Sequence, residues 1–365
     1  MNNNNEIEYI SDDSIDEGLL KVIQEIENKN KRKQIRQNRL SVTNLVQIEW
    51  CECQHNYINL YGKPKPNKIM EEGSKRHLEL ELKIHDVLPI EADSYVDREA
   101  LKLVDCILRI QTLLDKKICR ELPIYGFIRK GDSEKIKFIV GVIDVIEKEK
   151  VGIKIFETKT RYSLKLPKEG QSRNHKYQLM IYKRMLDKMI EYSKQMMNMN
   201  ENKGHNNNDV NSEDAKDTFF FDVDSYFKFK NCNQDSVLSK IFINKLIKND
   251  IAKLIFKDTQ ILETVTLKQL FLIMLSYFAK LPITSNLLTI KYEEQSSNKS
   301  IGEIEFQFDS NLTETKIQDT FNYLFKKRSP TGVTDIEEAS YKCGNCQFSD
   351  ICEWREKMAN SLIRI

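Results

Sequence analysis

The sequence has no uninterrupted apolar run long enough to cross a bilayer, and none of it reads as a secretory leader. A chain of this kind keeps its thiols reduced, so its eight cysteines are not expected to form a disulfide framework. No Gly-x-x-x-x-Gly-Lys-[Ser/Thr] loop occurs, which excludes an ATP motor of that type. There is no internal repeat. Formal net charge is only +2 over 365 residues, so the chain is not a global polycation. What remains is 40% hydrophobic and 31% charged, the composition of a soluble globular protein with polar extensions.

Two stretches stand apart. Residues 1–39 read as a flexible N-terminal extension, opening on Asn2–Asn5 and the acids Asp12, Asp13, Asp16 and Glu17. A helix is expected at about 14–27. Residues 28–40 hold six Lys/Arg and no acid, centred on Lys31-Arg-Lys33, which suits a nuclear-localisation element, a phosphate contact or a solvated helix face. The acidic opening argues against a mitochondrial presequence, so nucleus and/or cytoplasm is the expected location. The second stretch, about 195–217, includes Asn206-Asn-Asn208 and reads as a disordered insertion, too polar to offset its ordering entropy.

The chemistry concentrates between residues 136 and 192. Two strands are expected, 136–146 and 151–160, joined by the polar hairpin loop Glu147-Lys-Glu-Lys150. The first carries Gly141-x-x-Asp144 and the second Glu157-Thr-Lys159. Residues two apart share a strand face, so Glu157 and Lys159 project together and Asp144 can reach them. Two converging carboxylates suit a hard divalent cation, and a lysine beside them can orient water and offset phosphate charge. An acid-x-lysine triplet alone is common by chance, so the neighbours matter. Upstream, Gly73-Ser-Lys-Arg-His77 places His77 near the start of an expected helix ending at Leu82. Downstream, a helix at about 171–192 puts Gln178 and Tyr182 on one face. From Lys154 to Lys188 there are ten Lys/Arg against three Asp/Glu, interleaved with Tyr162, Tyr177 and Tyr182. Basic and aromatic side chains together suit a single nucleic-acid strand.

Cys343-Gly-Asn-Cys346 followed by Cys352 makes a compact three-thiolate group that needs a fourth ligand. Spacing alone leaves zinc and iron–sulfur equally open. Cys106, Cys119 and Cys232 lack partner spacing and read as small buried or half-buried hydrophobes. A further strand is expected at 120–129. Later helices are expected near 235–256, 267–280 and 313–327, with strands at 287–292 and 301–308.

In order, the chain offers Gly-x-x-x-His, Gly-x-x-Asp, Glu-x-Lys and Gln-x-x-x-Tyr. With Leu40-Ser-Val-Thr-Asn-Leu45, Trp50-Cys-Glu52, Gln178-Leu-Met-Ile-Tyr-Lys-Arg184, Lys342-Cys-Gly-Asn-Cys346 and Cys352-Glu-Trp354, it resembles the RecB-like branch of the PD-(D/E)XK nucleases. The closer resemblance, from about Leu40 to Trp354, is to the exonuclease V family. It implies an α/β fold, with a mixed central sheet flanked by helices and the ends tied by four cysteines. It also implies a metal-dependent exonuclease of single-stranded DNA, with a role in DNA repair or genome maintenance. Asp144, Glu157 and Lys159 would be catalytic, with Mg²⁺ or Mn²⁺ held by His77, Asp144 and Glu157. Gln178 and Tyr182 would hold the substrate strand or the lysine, and Arg161, two residues past Lys159 and on the same face if the strand continues, is read as an extra phosphate contact in substrate binding. The resemblance supplies Cys51 as the fourth thiolate, with Cys53 as the alternative, and a [4Fe–4S] cluster on Cys51, Cys343, Cys346 and Cys352. Such a site forces the chain ends together, so residues 40–365 are expected to form one nuclease domain. Single-stranded DNA is the expected partner, with a single-strand-binding protein beside it, no membrane, and a monomeric state. The rival from a different class is an inactive single-strand nucleic-acid-binding module with a zinc staple, for which the Asp/Glu/Lys set would have no use. A helicase–nuclease subunit is excluded by the missing ATP loop, and a CRISPR-adaptation nuclease would be a shorter chain.

Overall fold

A computed structural model describes residues 39–86, 88–129, 136–201, 218–256 and 260–362. The N-terminal extension lies outside them, Arg39 apart. The sheet forms where long β-branched and aromatic runs occur. Strand β1 (Arg39–Ser41) is short, while β2 (Ile118–Arg129), β3 (Ile136–Lys148) and β4 (Ile153–Arg161) carry the site. Strands β5 (Phe219–Phe220), β6 (Leu287–Glu294) and β7 (Ser300–Gln307) complete it. The order is β5-β2-β3-β4-β6-β7, with β1 paired to β3. All neighbours along that order are antiparallel except β4 and β6, which run parallel. The sheet is therefore mixed, and helices flank it as expected.

Ahead of the sheet come α1 (Val42–Trp50), α2 (Glu52–Tyr61), α3 (Lys68–Leu82) and α4 (Tyr95–Lys116). Ser94 caps α4 by accepting from the Asp97 N–H. Its residues Leu103, Ile107, Ile110 and Leu113 recur at helical spacing and are fully buried. α5 (Glu169–Glu201) lies against β2, β3, β4 and β6, and α6 (Val223–Lys230) follows. The expected helix at 235–256 is two helices, α7 (Lys240–Lys248) and α8 (Ile251–Ile255). Asp250 between them takes φ 57°, which no right-handed helix accommodates. α9 (Leu267–Phe278) packs on α4 and α5, and α10 (Ser310–Leu324), α11 (Ile336–Lys342) and α12 (Glu353–Leu362) end the described chain.

Two boundaries differ from expectation with consequences for the site. α3 begins at Lys68, capped by Asn67, so His77 sits past its middle rather than near its start. α5 runs on to Glu201, through the beginning of the segment read as an insertion; residues 202–217 lie outside the described residues. Among the described residues no helix is long and apolar enough to cross a membrane.

Candidate active site and cysteine cavity

The β3–β4 ladder decides where the acids meet. Its last pair is Val145 with Phe156, and the same register would place Asp144 opposite Glu157. There the ladder stops. The Thr158 N–H donates instead to Asp144 Oδ2 at 2.7 Å. A side-chain acceptor has replaced a backbone one, and the strand pairing ends at two buried acids. Asp144 and Glu157 are only 3% and 4% exposed, so neither is an ordinary surface acid.

Each acid has its own partners. Arg120 Nη2 donates to Asp144 Oδ1 at 2.7 Å, and His77 Nδ1 lies 3.3 Å from the same oxygen. Burial pushes the Asp144 carboxyl up, but His77, Arg120 and Thr158 outweigh it and hold it at about 2. Glu157 Oε1 accepts from Lys159 Nζ at 2.7 Å and from Gln178 Nε2 at 3.0 Å. Its other oxygen, Oε2, is buried without a partner among the described residues. Burial raises the Glu157 carboxyl, opposed by Lys159, with Asp144 adding to the rise.

Gln178 and Tyr182 do share a helix face, and they meet the lysine. Gln178 Oε1 accepts from Lys159 at 3.0 Å, and its amide reaches the Tyr182 hydroxyl at 3.0 Å. The Tyr182 ring lies on β3 at Gly141, where an added Cβ would come within 2.8 Å of Cε1. This explains the glycine in Gly-x-x-Asp: it lets the tyrosine lie flat. Gly141→Ala is expected to cost about 1–3 kcal/mol by overpacking. It should also slow turnover about tenfold by displacing Tyr182 and, through it, Gln178 and Lys159. Melting and steady-state kinetics on the same preparation check this; unchanged kinetics would show that the lysine does not depend on that bracket.

Two residues here were not legible in the sequence. Glu121 has Oε1 3.3 Å from His77 Nδ1, and His77, Glu121 and Asp144 bring one ligand atom each within 4.8 Å of the others. Together Asp144 and Glu121 raise the His77 imidazole to about 10. Arg120, the other, neutralises Asp144 from the same side. Adjacent strand residues ordinarily face opposite ways, but Glu121 takes φ 52°. That left-handed residue costs about 1–2 kcal/mol and turns consecutive side chains toward one site. Alternation in the sequence gives no sign of it.

Arg161 lies two residues beyond Lys159 on β4, its guanidinium 6.0 Å above the Tyr292 ring. The rest of the basic stretch is largely answered by acids. Lys154, Lys159, Lys168, Arg173, Lys176, Lys183 and Lys188, seven of the ten, are in ion pairs.

Separately, α1, α2 and α11 meet the segment 343–352. Cys51, Cys343, Cys346 and Cys352 line one cavity with Trp50, Gln54, Tyr57, Phe348 and Arg355. Cys53 does not line it; its thiol is turned to the Pro330 carbonyl at 3.7 Å. Cys51 caps α2, its sulfur accepting from Gln54 N, and Gln54 Nε2 reaches the Cys346 sulfur at 3.6 Å. The neighbouring Cys53, with help from Gln54 and Lys342, lowers the Cys51 thiol to about 6, against the pull of burial. Protein contacts hold the same ends together: Arg328 pairs with Glu52, Lys342 lies 4.4 Å from the Trp50 ring centroid, and Tyr57 donates to the Ile351 carbonyl. Cys106 and Cys119 are fully buried elsewhere, and burial drives Cys119 up to about 12, as suits inert core residues.

Fold and site together define an α/β nuclease, with acid, acid and lysine gathered where the pairing of the central strands ends. The match to known proteins is specific. A family model described as exonuclease V, a 5′ deoxyribonuclease, covers residues 29–152 and 147–355. The chain belongs to the exonuclease V family. It is 29% identical to exonuclease V of Danio rerio over 331 residues, 89% of this chain and 72% of that one. It is 38% identical to the mitochondrial exonuclease V of Debaryomyces hansenii over 81 residues, 21% of this chain and 13% of that one. Among solved structures, SSO0001 overlays at a TM-score of 0.38 and 14% identity, over 90% of this chain and 97% of its own, a loose likeness.

Proposed function

We propose that the protein removes nucleotides from the 5′ end of single-stranded DNA in a divalent-metal-dependent reaction. The observation that carries this is the orphaned Oε2 of buried Glu157, beside an Asp144 already crowded by His77 and Glu121. A buried carboxylate oxygen without a partner is costly unless a cation takes it. Carboxylates with one imidazole suit Mg²⁺ or Mn²⁺, on His77, Asp144, Glu157 and the added Glu121. When bound, the ion supplies Lewis-acid activation of water and phosphate oxygens. Lys159, anchored by Glu157 and Gln178, holds the attacking water and offsets charge on the phosphate. Arg120 keeps Asp144 ionised and in place. The 5′ direction, which the motifs leave open, comes from the description of the family. Single-strand preference is supported by the exposed Tyr162, Leu164 and Leu166 that follow Arg161, a lip on which unstacked bases can rest. A role in DNA repair, a nuclear or cytoplasmic location, a single-strand-binding partner and a monomeric state complete the proposal.

The cysteine cavity is proposed to hold a [4Fe–4S] cluster on Cys51, Cys343, Cys346 and Cys352. These four thiolates line one cavity, a donor set that suits an iron–sulfur cluster. Its role is structural, since hydrolysis requires no electron.

Single strands blocked at one end or the other, incubated with and without Mg²⁺ or Mn²⁺, test the activity. Nucleotide release from an open 5′ end, and none in chelator, is expected; release in chelator would remove the proposed metal chemistry. Strand binding should also weaken with salt. At about −0.7 in log K per log salt for each phosphate contacted, ten free cations would give about −7. With seven of the ten already paired, the expected slope is well short of that but not zero. A flat response in a binding titration would contradict phosphate tracking.

A further inference from the structure

The face of α5 that meets β4 carries polar groups at 171, 175, 178 and 182, spaced so that they line one side of the helix. The last two bracket Lys159. The first two converge on the next residue along the same strand face. Both terminal nitrogens of Arg161 point at Gln171 Oε1, each at a long 3.4 Å. His175 Nδ1 lies 3.0 Å from the Tyr292 hydroxyl, and Tyr292 is the β6 partner of Lys159, with its ring under the Arg161 guanidinium.

We propose that Arg161, held by Gln171 and the His175–Tyr292 pair, forms a second phosphate subsite that grips the backbone phosphate next to the one being cleaved. The inference rests on the exonuclease reading and extends it. Three features carry it. First, Arg161 is under-used: among the described residues it makes no ion pair, and its Nε is buried without a partner. Most basic side chains around it are answered by acids. The two terminal nitrogens of Arg161 share a single amide oxygen at 3.4 Å, which leaves donors for a phosphodiester, and the planar fork suits two oxygens at once. Second, the spacing fits. Lys159 and Arg161 are two residues apart on one strand face, about 6.5 Å along β4. That is comparable to the separation of successive phosphates in an extended strand. Third, the guanidinium is held without being neutralised. An aromatic face and one amide oxygen fix its position and leave its charge for the ligand. Gln171, His175 and Tyr292 are thus positioning residues that act through Arg161.

The test uses the full-length chain and single-stranded oligodeoxynucleotides carrying one neutral methylphosphonate, moved one linkage at a time from the 5′ end. Wild-type protein should lose about 10- to 100-fold in kcat/KM at one linkage adjacent to the scissile one, the size of a charge-assisted contact. Arg161→Gln should lose a similar factor on unmodified DNA and be indifferent to the methylphosphonate at that linkage. Tyr292→Phe keeps the ring but releases His175. It should raise KM more than it lowers kcat and blunt the same discrimination, a readout that survives if Arg161→Gln folds poorly. Arg161→Lys should restore part of it. If the losses from Arg161→Gln and the methylphosphonate simply multiply, or if wild type shows no linkage-specific loss, the subsite is wrong. Asp144→Asn separates the two ideas: if that variant cleaves normally, the catalytic reading fails whatever Arg161 does.

Discussion

Asp144→Asn should lower DNA cleavage by about a thousandfold or more while leaving single-strand binding within about twofold. The carboxylate is the point where His77, Arg120 and the Thr158 N–H converge, and it is one of the acids proposed to hold the metal. Asparagine keeps an oxygen to accept from Thr158 or Arg120 but loses the charge a divalent ion needs. Alanine is the poorer test. It would leave Arg120 buried and unpaired, a change that typically costs about 3–5 kcal/mol and confounds lost chemistry with lost fold. Product release from an end-labelled strand, anisotropy with the same strand and a melting curve decide it together. Full activity would remove the proposed site. Loss of binding in a folded protein would make Asp144 a strand-binding residue instead.

Cys346→Ser should strip the protein of colour, lower its melting temperature and abolish activity together, whereas Cys232→Ser should do none of these. Protein prepared without oxygen should be brown, with broad absorbance near about 400 nm, as thiolate-bound iron–sulfur gives. Closing a loop between Cys51 and Cys343 is worth on the order of 5 kcal/mol by chain-entropy reasoning borrowed from disulfides. That figure is an upper bound here, because Arg328–Glu52, Lys342–Trp50 and Tyr57–Ile351 already hold the same ends. Against a total of roughly 5–15 kcal/mol, even part of it matters. Colourless protein carrying one zinc would replace the cluster and keep the staple. A folded, active Cys346→Ser would remove the staple itself.

The residues that declare themselves in the sequence do so by period and order. Asp144, Glu157 and Lys159 are legible because strands alternate with period two, and Gln178 and Tyr182 because a helix returns every three to four residues. Cys343, Cys346 and Cys352 are legible because short spacing is itself a chelate. Each of these depends on neighbours a few residues away. The break between α7 and α8 has no such local signal, because a single left-handed Asp250 overrides an otherwise continuous helical pattern.

Local sequence thus determined the strand pair, the acid–acid–lysine order, the Gln-x-x-x-Tyr helix and the cysteine cluster, because each is encoded in short-range spacing. Only the tertiary structure decided that Glu121 and Arg120 face the acids, since one left-handed residue on β2 suspends the alternation that sequence reading relies on. It also decided that Cys51 rather than Cys53 lines the cavity, because that depends on where α2 points each thiol once Pro330, 277 residues beyond Cys53, has packed against it. It decided, too, that most of the basic stretch is neutralised while Arg161 is not. The acids that answer Lys168 and Arg173 lie more than 160 residues away, at Glu337 and Glu338, and are brought to α5 by the packing of the whole domain.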